Sequence, residues 1–173
     1  MAGEQKPILF NGATGGFDEI TPKTVSAGAA DAGKLFVPGP TGQWDESLLP
    51  NADGARAFAA SEALSAGDFV NVHDDAGSPK LRKADASSIA TRAHGFVKTA
   101  AAAGESVKFY ESGTAAGFTG LTVGTIYFLS DATAGEPVAV APTTTGHIAQ
   151  AVGVAVSATE LQVDISEQPV VRA

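Results

Sequence analysis

The stretch Ala115–Asp131, AAGFTGLTVGTIYFLSD, constrains this chain more than any other. Its core, Thr125–Ser130, is the densest run of β-branched and aromatic residues in the sequence. Such residues fit a pleated, packed surface, so the run reads as a buried strand. Gly117, Gly120 and Gly124 lead into it and Gly135 follows it, at positions suited to tight reversals. Shorter strand candidates surround it: Gly104–Phe109 before, Pro137–Val140 and Gln150–Val156 after, bounded by Gly, Pro, Asp or Thr. Short strands with this punctuation predict an all-β fold, a compact β-barrel or β-sandwich.

A second regularity runs from Ala57 to Gln168. The segment GDFVNVHDDAG, from Gly67 to Gly77, aligns with GTIYFLSDATAG, from Gly124 to Gly135. AHGFV then aligns with AVGVA, which sets Gly95 against Gly153, and Ser106–Tyr110 aligns with the segment that begins at Glu160. Three landmarks in the same order predict a duplicated β unit. Such a unit closes naturally into a pseudo-symmetric barrel or sandwich. Lys83–Thr91 is Ala-rich but holds several Ser/Thr residues and little apolar periodicity, so a turn or loop is expected there.

Residues 1–57 read as an N-terminal arm and 58–173 as the β domain with a C-terminal tail. In the arm, Asn11–Gly16 is turn-rich, and Ile20–Val25 suits a short edge strand because Pro22 bars a central one. Lys34–Val37 and Gln43–Trp44 flank a hairpin-like PGPTG turn. Asp45 then caps one helical turn, DESLL, that Pro50 stops. This arm has apolar residues but no core of its own. Leu35, Phe36, Trp44, Leu48 and Leu49 are therefore the expected contacts with a sister subunit or a partner surface. After Pro169 the tail is expected to extend onto a neighbour.

The 173 residues suit one domain with an arm, and there is no Cys for disulfide or thiolate chemistry. A formal charge of −8 argues against a sequence-independent grip on nucleic acid, which needs Lys and Arg to displace counterions. No apolar run approaches the length of a membrane span, and MAGEQKPILF does not read as a signal peptide.

Motifs that could carry chemistry are thin. Gly28–Lys34, GAADAGK, has phosphate-loop spacing but ends in Leu35 where Ser or Thr would hold magnesium, and no apolar strand precedes it. His73-Asp74-Asp75 could be a ligand or acid–base cluster, but it is also an ordinary strand-end turn before Gly77. His94 and His147 receive no role. No G-x-S-x-G occurs, and Asp18-Glu19 and Asp45-Glu46 are adjacent pairs that point apart. One Trp and two Tyr make a thin platform for glycans. Phe69, Phe96, Phe109, Tyr110, Phe118, Tyr127 and Phe128 are read, with Trp44, as packing residues. No cofactor, metal or catalytic residue is expected.

Taken together, Ala60–Ser87, Ala93–Gly113, Phe118–Asp131 and Gln150–Ile165 resemble small β-domain virion proteins of tailed bacteriophages, of the capsid decoration and head-fibre type. Ser26–Pro50, SAGAADAGKLFVPGPTGQWDESLLP, resembles a segment that precedes such domains in phage head and tail-fibre proteins. Phe36-Val37-Pro38 and Trp44 depart from it, since smaller aliphatic or Lys-like residues are the pattern there. The resemblance implies a non-enzymatic decoration (cementing) protein, a homotrimer on the capsid surface that binds the major capsid protein and is made in the host cytoplasm. The alternative it leaves is a head or tail fibre that binds a host surface glycan. A β-sandwich hydrolase or lectin is a more distant third.

Overall fold

The computed structural model describes residues 8–11, 15–19 and 55–173. The chain divides into two compact units, Met1–Asp53 and Gly54–Ala173. In the first, β1 (Ile8–Asn11) pairs antiparallel with β2 (Gly16–Glu19), Phe10 opposite Phe17. The sequence reading gives only a turn-rich segment there, because four-residue strands offer too few positions for an alternation to register. The phosphate-loop-like segment, the edge strand, the PGPTG hairpin and the DESLL turn lie outside the described residues. So do Leu35, Phe36, Trp44, Leu48 and Leu49.

The second unit is all-β. β3 (Arg56–Ala60), β4 (Phe69–Asp75), β5 (Ser78–Lys83), β6 (Gly95–Val97) and β7 (Ser106–Tyr110) close into a barrel in the order β3-β5-β4-β6-β7. Only β3–β5 is parallel. Closure leaves no unpaired strand edge. Leu64, Val70, Leu81, Val97, Val107 and Phe109 fill the interior. The β4–β5 hairpin reverses through Ala76 and Gly77, both at positive φ (53° and 85°), as a two-residue turn of primed type requires.

The chain then repeats itself. β8 (Ser112–Ala116), β9 (Ile126–Leu129), β10 (Pro137–Val138), β12 (Ala151–Ala155) and β13 (Glu160–Asp164) form a sheet in the order β10-β9-β12-β13-β8. With β3 to β7 set against β8, β9, β10, β12 and β13 in turn, the neighbours coincide, except that no β8–β10 pairing closes the second sheet. Individual hydrogen bonds coincide as well. Gly67 N–H donates to Val97 O (2.8 Å) and Val97 N–H to Asp68 O (3.1 Å). In the second copy Gly124 N–H donates to Ala155 O (2.8 Å) and Ala155 N–H to Thr125 O (3.0 Å). Leu64 N–H to Ala101 O (2.9 Å) is matched by Leu121 N–H to Ala158 O (3.1 Å). Gly95 faces Val70 and Gly153 faces Tyr127, the aligned partners. The duplication expected from the sequence is present in the backbone.

The copies differ in one ladder. Val97 faces Phe109, whereas Ala155 faces Leu161, a slip of two residues relative to the sequence alignment. An even slip keeps every side chain on its own face. The failure of the second sheet to close has a packing cause. Its inner face, with Tyr127, Leu129, Val152, Leu161 and Val163, is filled by Phe69 and Phe96 from the outside of the barrel. Space that the first copy closes around its own side chains is occupied here by its neighbour.

Between β10 and β12 lies β11 (Ile148–Ala149), which pairs with β14 (Val170–Val171) near the C-terminus. The tail was expected to reach a neighbouring molecule; it is held within its own chain instead. Arg172 N–H donates to His147 O (2.8 Å) and Arg172 Nε to Pro142 O (2.8 Å), bonds invisible to local pattern because the partners are distant in sequence. In Lys83–Thr91, Lys83 ends β5 and the rest holds a short 3-10 turn, Ile89–Thr91, with Ser88 Oγ accepting from Ala90 N–H. Phe69, Phe96, Phe109 and Tyr127 are buried, and Tyr110 and Phe118 pack beside them, as the packing reading expects.

Candidate functional site

At His73-Asp74-Asp75 the structure builds a strand end. Asp74 Oδ2 accepts from Gly77 N–H at 3.4 Å. Asp75 pairs with Lys80 at 2.6 Å, and that hydrogen bond with its charge holds the Asp75 carboxyl below the usual carboxylate range. His73 Nδ1 is buried and finds no partner among the described residues. Among the described residues no three His, Asp or Glu side chains are gathered as a metal would need. His147, which carries no role in the sequence reading, sits with Nδ1 2.9 Å from Asp131 Oδ2 and ties the β11 segment to the end of β9.

A cavity of about 520 Å³ lies at one mouth of the barrel. Arg56 and Phe58 reach it from β3, Val72 from β4, and Phe109 and Glu111 from the end of β7. Arg92, Ala93 and His94 come from the approach to β6, and Ile165 and Glu167 from the segment after β13. Phe58 and Phe109 meet edge to face at 5.7 Å. His94 Nδ1 accepts from Val72 N–H at 3.0 Å, which in the neutral ring leaves the proton on Nε2.

Burial, assisted by the Arg92 charge, holds His94 below the ordinary imidazole pKa. The unfolded chain takes this proton near pH 6.5, whereas the folded chain resists it to lower pH. The contribution to stability is therefore complete above about pH 6.5 and is lost as pH falls toward the folded value. His94→Asn keeps an acceptor for Val72 but cannot titrate. The difference in unfolding free energy between pH 7.5 and pH 5 should be smaller in the variant than in the parent chain. Equal pH slopes would show that His94 does not sense the fold.

Behind the mouth a polar clasp joins the two copies. Gln150 is fully buried; its Oε1 accepts from Ala93 N–H (2.8 Å), and Nε2 donates to Ala93 O and Ser166 O (both 2.9 Å). Buried polar groups are costly unless paired, and here every bond of the amide goes to backbone. Asn71 acts similarly, donating to Arg92 O at 2.8 Å and accepting from Arg82 Nε at 3.0 Å. The two side chains fix the segment that presents Arg92 and His94.

A second surface is apolar. Ile126 and Val154 face each other across β9 and β12 and are exposed by 52% and 37%. Val123 and Val156, also exposed, extend the strip at its end. The run Thr125–Ser130 reads from the sequence as a buried strand, yet only one face of it is buried: Tyr127 and Leu129 point inward and Ile126 outward. Ile126 to Leu129 are all apolar, so the sequence carries no alternation to show that one face lacks a cover. No known protein-family model matches the chain, and no curated protein matches it.

Proposed function

We propose that this chain is a non-enzymatic capsid decoration protein of a tailed phage, a homotrimer that sits on the head surface and binds the major capsid protein. The observation that carries this reading is the strip of Val123, Ile126, Val154 and Val156, a β-branched face left in water along one side of the β9–β12 ladder. Apolar area is worth about 25 cal/mol per Å² when covered, so four half-exposed side chains supply a modest contact. Three chains acting together turn modest contacts into firm attachment. The resemblance of the sequence to phage decoration and head-fibre proteins supplies the class of partner. The arm, with Leu35, Phe36, Trp44, Leu48 and Leu49, supplies further apolar groups for the shell or a sister subunit.

The test is attachment of the purified protein to heads that lack it, read by co-sedimentation. Ile126→Thr with Val154→Lys should weaken attachment at least tenfold, about 1.4 kcal/mol or more, and change the melting temperature of the free protein little, since both residues suit an exposed strand face and no like charges meet across the ladder. Trp44→Ala should likewise weaken attachment tenfold or more while sparing the melting of the β domain, as expected of an aromatic anchor. Undiminished attachment of both variants, or a chain that stays monomeric in solution and on heads alike, would overturn the reading.

A further inference from the structure

The duplication provides an internal control for the barrel mouth. In the alignment that sets Gly67 on Gly124 and Gly95 on Gly153, Arg56 and Phe58 correspond to Gly113 and Ala115, and Val72 to Leu129. Arg92 and His94 correspond to Gln150 and Val152, and Glu111 to Ile165. In the second copy Ala115, Leu129 and Val152 are fully buried in the shared core. The backbone thus folds with small and apolar residues at these places. The first copy instead holds two Arg, a His and a Glu around a cavity; His94 Nδ1 takes the Val72 N–H, as Gln150 O takes that of Leu129 in the second copy, but folding alone does not call for the two Arg or the Glu.

The groups set into the cavity are donors. Arg92 is half-buried and gives one N–H to Ile89 O at 3.3 Å, out of the five a guanidinium carries. His94, also half-buried, has its Nδ1 engaged by Val72 and keeps its Nε2 proton to give. The Arg56 side chain, exposed at the rim, makes no hydrogen bond or ion pair with a described residue. The acids, Glu111 and Glu167, are exposed at the rim, where water and salt screen them. Phe58, Phe109, Val72 and Ile165 supply the apolar walls. The volume falls within the range of small-ligand sites, and the mouth of a β-barrel is one of their usual places.

We propose that the barrel mouth binds a carboxylate carried on a small apolar body. The carboxylate is taken by Arg92 and the Nε2–H of His94, with Arg56 closing from the rim, and the body lies against Phe58, Phe109, Val72 and Ile165. A planar guanidinium suits a carboxylate because its paired N–H groups match the two oxygens. Two sources share this chemistry: a free aryl or alkyl acid, and the C-terminal carboxylate of a polypeptide that ends in an apolar residue. The inference stands apart from the virion role and is tested on the free, full-length chain.

The experiment follows backbone amide shifts of Val72, Ala93 and His94 by NMR as probes are added. The probes are 3-phenylpropionate, its neutral amide, and a short peptide ending in Phe with a free or an amidated C-terminus. The free carboxylates should give saturable shifts, with the neutral forms at least tenfold weaker. Arg92→Met should weaken the carboxylates about tenfold and Arg56→Met about threefold, each at an unchanged melting temperature. If Arg92→Met fails to fold through its bond to Ile89, Arg56→Met with the neutral probes carries the test. Tighter binding of the peptide assigns the site to a chain terminus, and tighter binding of phenylpropionate assigns it to a free acid. Absence of saturable shifts up to about 20 mM of either carboxylate, or equal binding of acid and amide, overturns the proposal.

Discussion

Gly95→Ala is expected to lower the stability of the β domain by about 3 kcal/mol or more. A Cβ at this position would lie 2.3 Å from the Phe109 ring and 2.4 Å from Tyr110 O. The ring could turn, but the carbonyl belongs to the neighbouring strand and cannot retreat without opening the ladder that joins β6 to β7. Gly153→Ala meets the same obstacle, with Gln162 O at 2.3 Å and Val163 Cα at 3.1 Å. Gly120→Ala provides the contrast. Its φ is +72° and nothing lies within 4 Å, so only backbone strain of about 1–2 kcal/mol opposes it. Urea unfolding of the three variants separates close approach from strain. Losses at Gly95 and Gly153 no larger than at Gly120 would contradict the close approach of the neighbouring strands at these glycines.

Gln150 should be the most sensitive polar side chain. Gln150→Leu leaves Ala93 N–H, Ala93 O and Ser166 O without their bonds beside a side chain that is itself fully buried. Each orphaned group costs about 1–3 kcal/mol, and the total is expected near 3–5 kcal/mol because the three losses share one relaxation. Gln150→Glu is the sharper test. The carboxylate can still accept from Ala93 N–H, but it turns negative oxygen toward two carbonyls. Burial and those carbonyls raise its folded pKa above the unfolded value near 4.3. The protonated acid, which can donate, is thus the form the fold tolerates. The deficit of this variant relative to the parent should shrink as pH falls from 7 toward 4 and widen as it rises. A pH-independent deficit would place the side chain in contact with water.

The glycines explain why the architecture was legible. Gly67 and Gly124 open equivalent strands at positive φ, and Gly95 and Gly153 sit beneath equivalent carbonyls, so the residue type is dictated by backbone geometry twice over. A constraint that strong survives in the residues and can be read without a structure. The barrel mouth was not legible. Arg56 opens β3, Arg92 and His94 lie in the loop before β6 and Glu111 follows β7, and no local spacing announces that closure brings them together. Alignment of the two copies held the available signal: charged residues of one stand where the other has Gly, Gln, Val and Ile. His147 escaped for a similar reason, since Asp131 becomes its neighbour only through the packing of β11. The tail misled because Val170 and Val171 look like a free edge, and nothing local shows that Ile148–Ala149 offers it a partner.

The way the copies pack has a consequence for whatever covers the exposed strip. Phe69 and Phe96 on the outside of the first copy align with Ile126 and Val154 on the outside of the second. The first pair is seated in the second copy's hollow, so the association joins a convex face to a concave one. Such a head-to-tail arrangement is heterologous, and unlike a two-fold it does not satisfy itself. Two copies in one chain therefore leave one convex face over, whatever residues occupy it. The surface that completes the series has the shape of the second copy's hollow, a half-open apolar trough. Another strip of the same kind, meeting it across a two-fold axis, would bring two convex faces together and leave both largely in water.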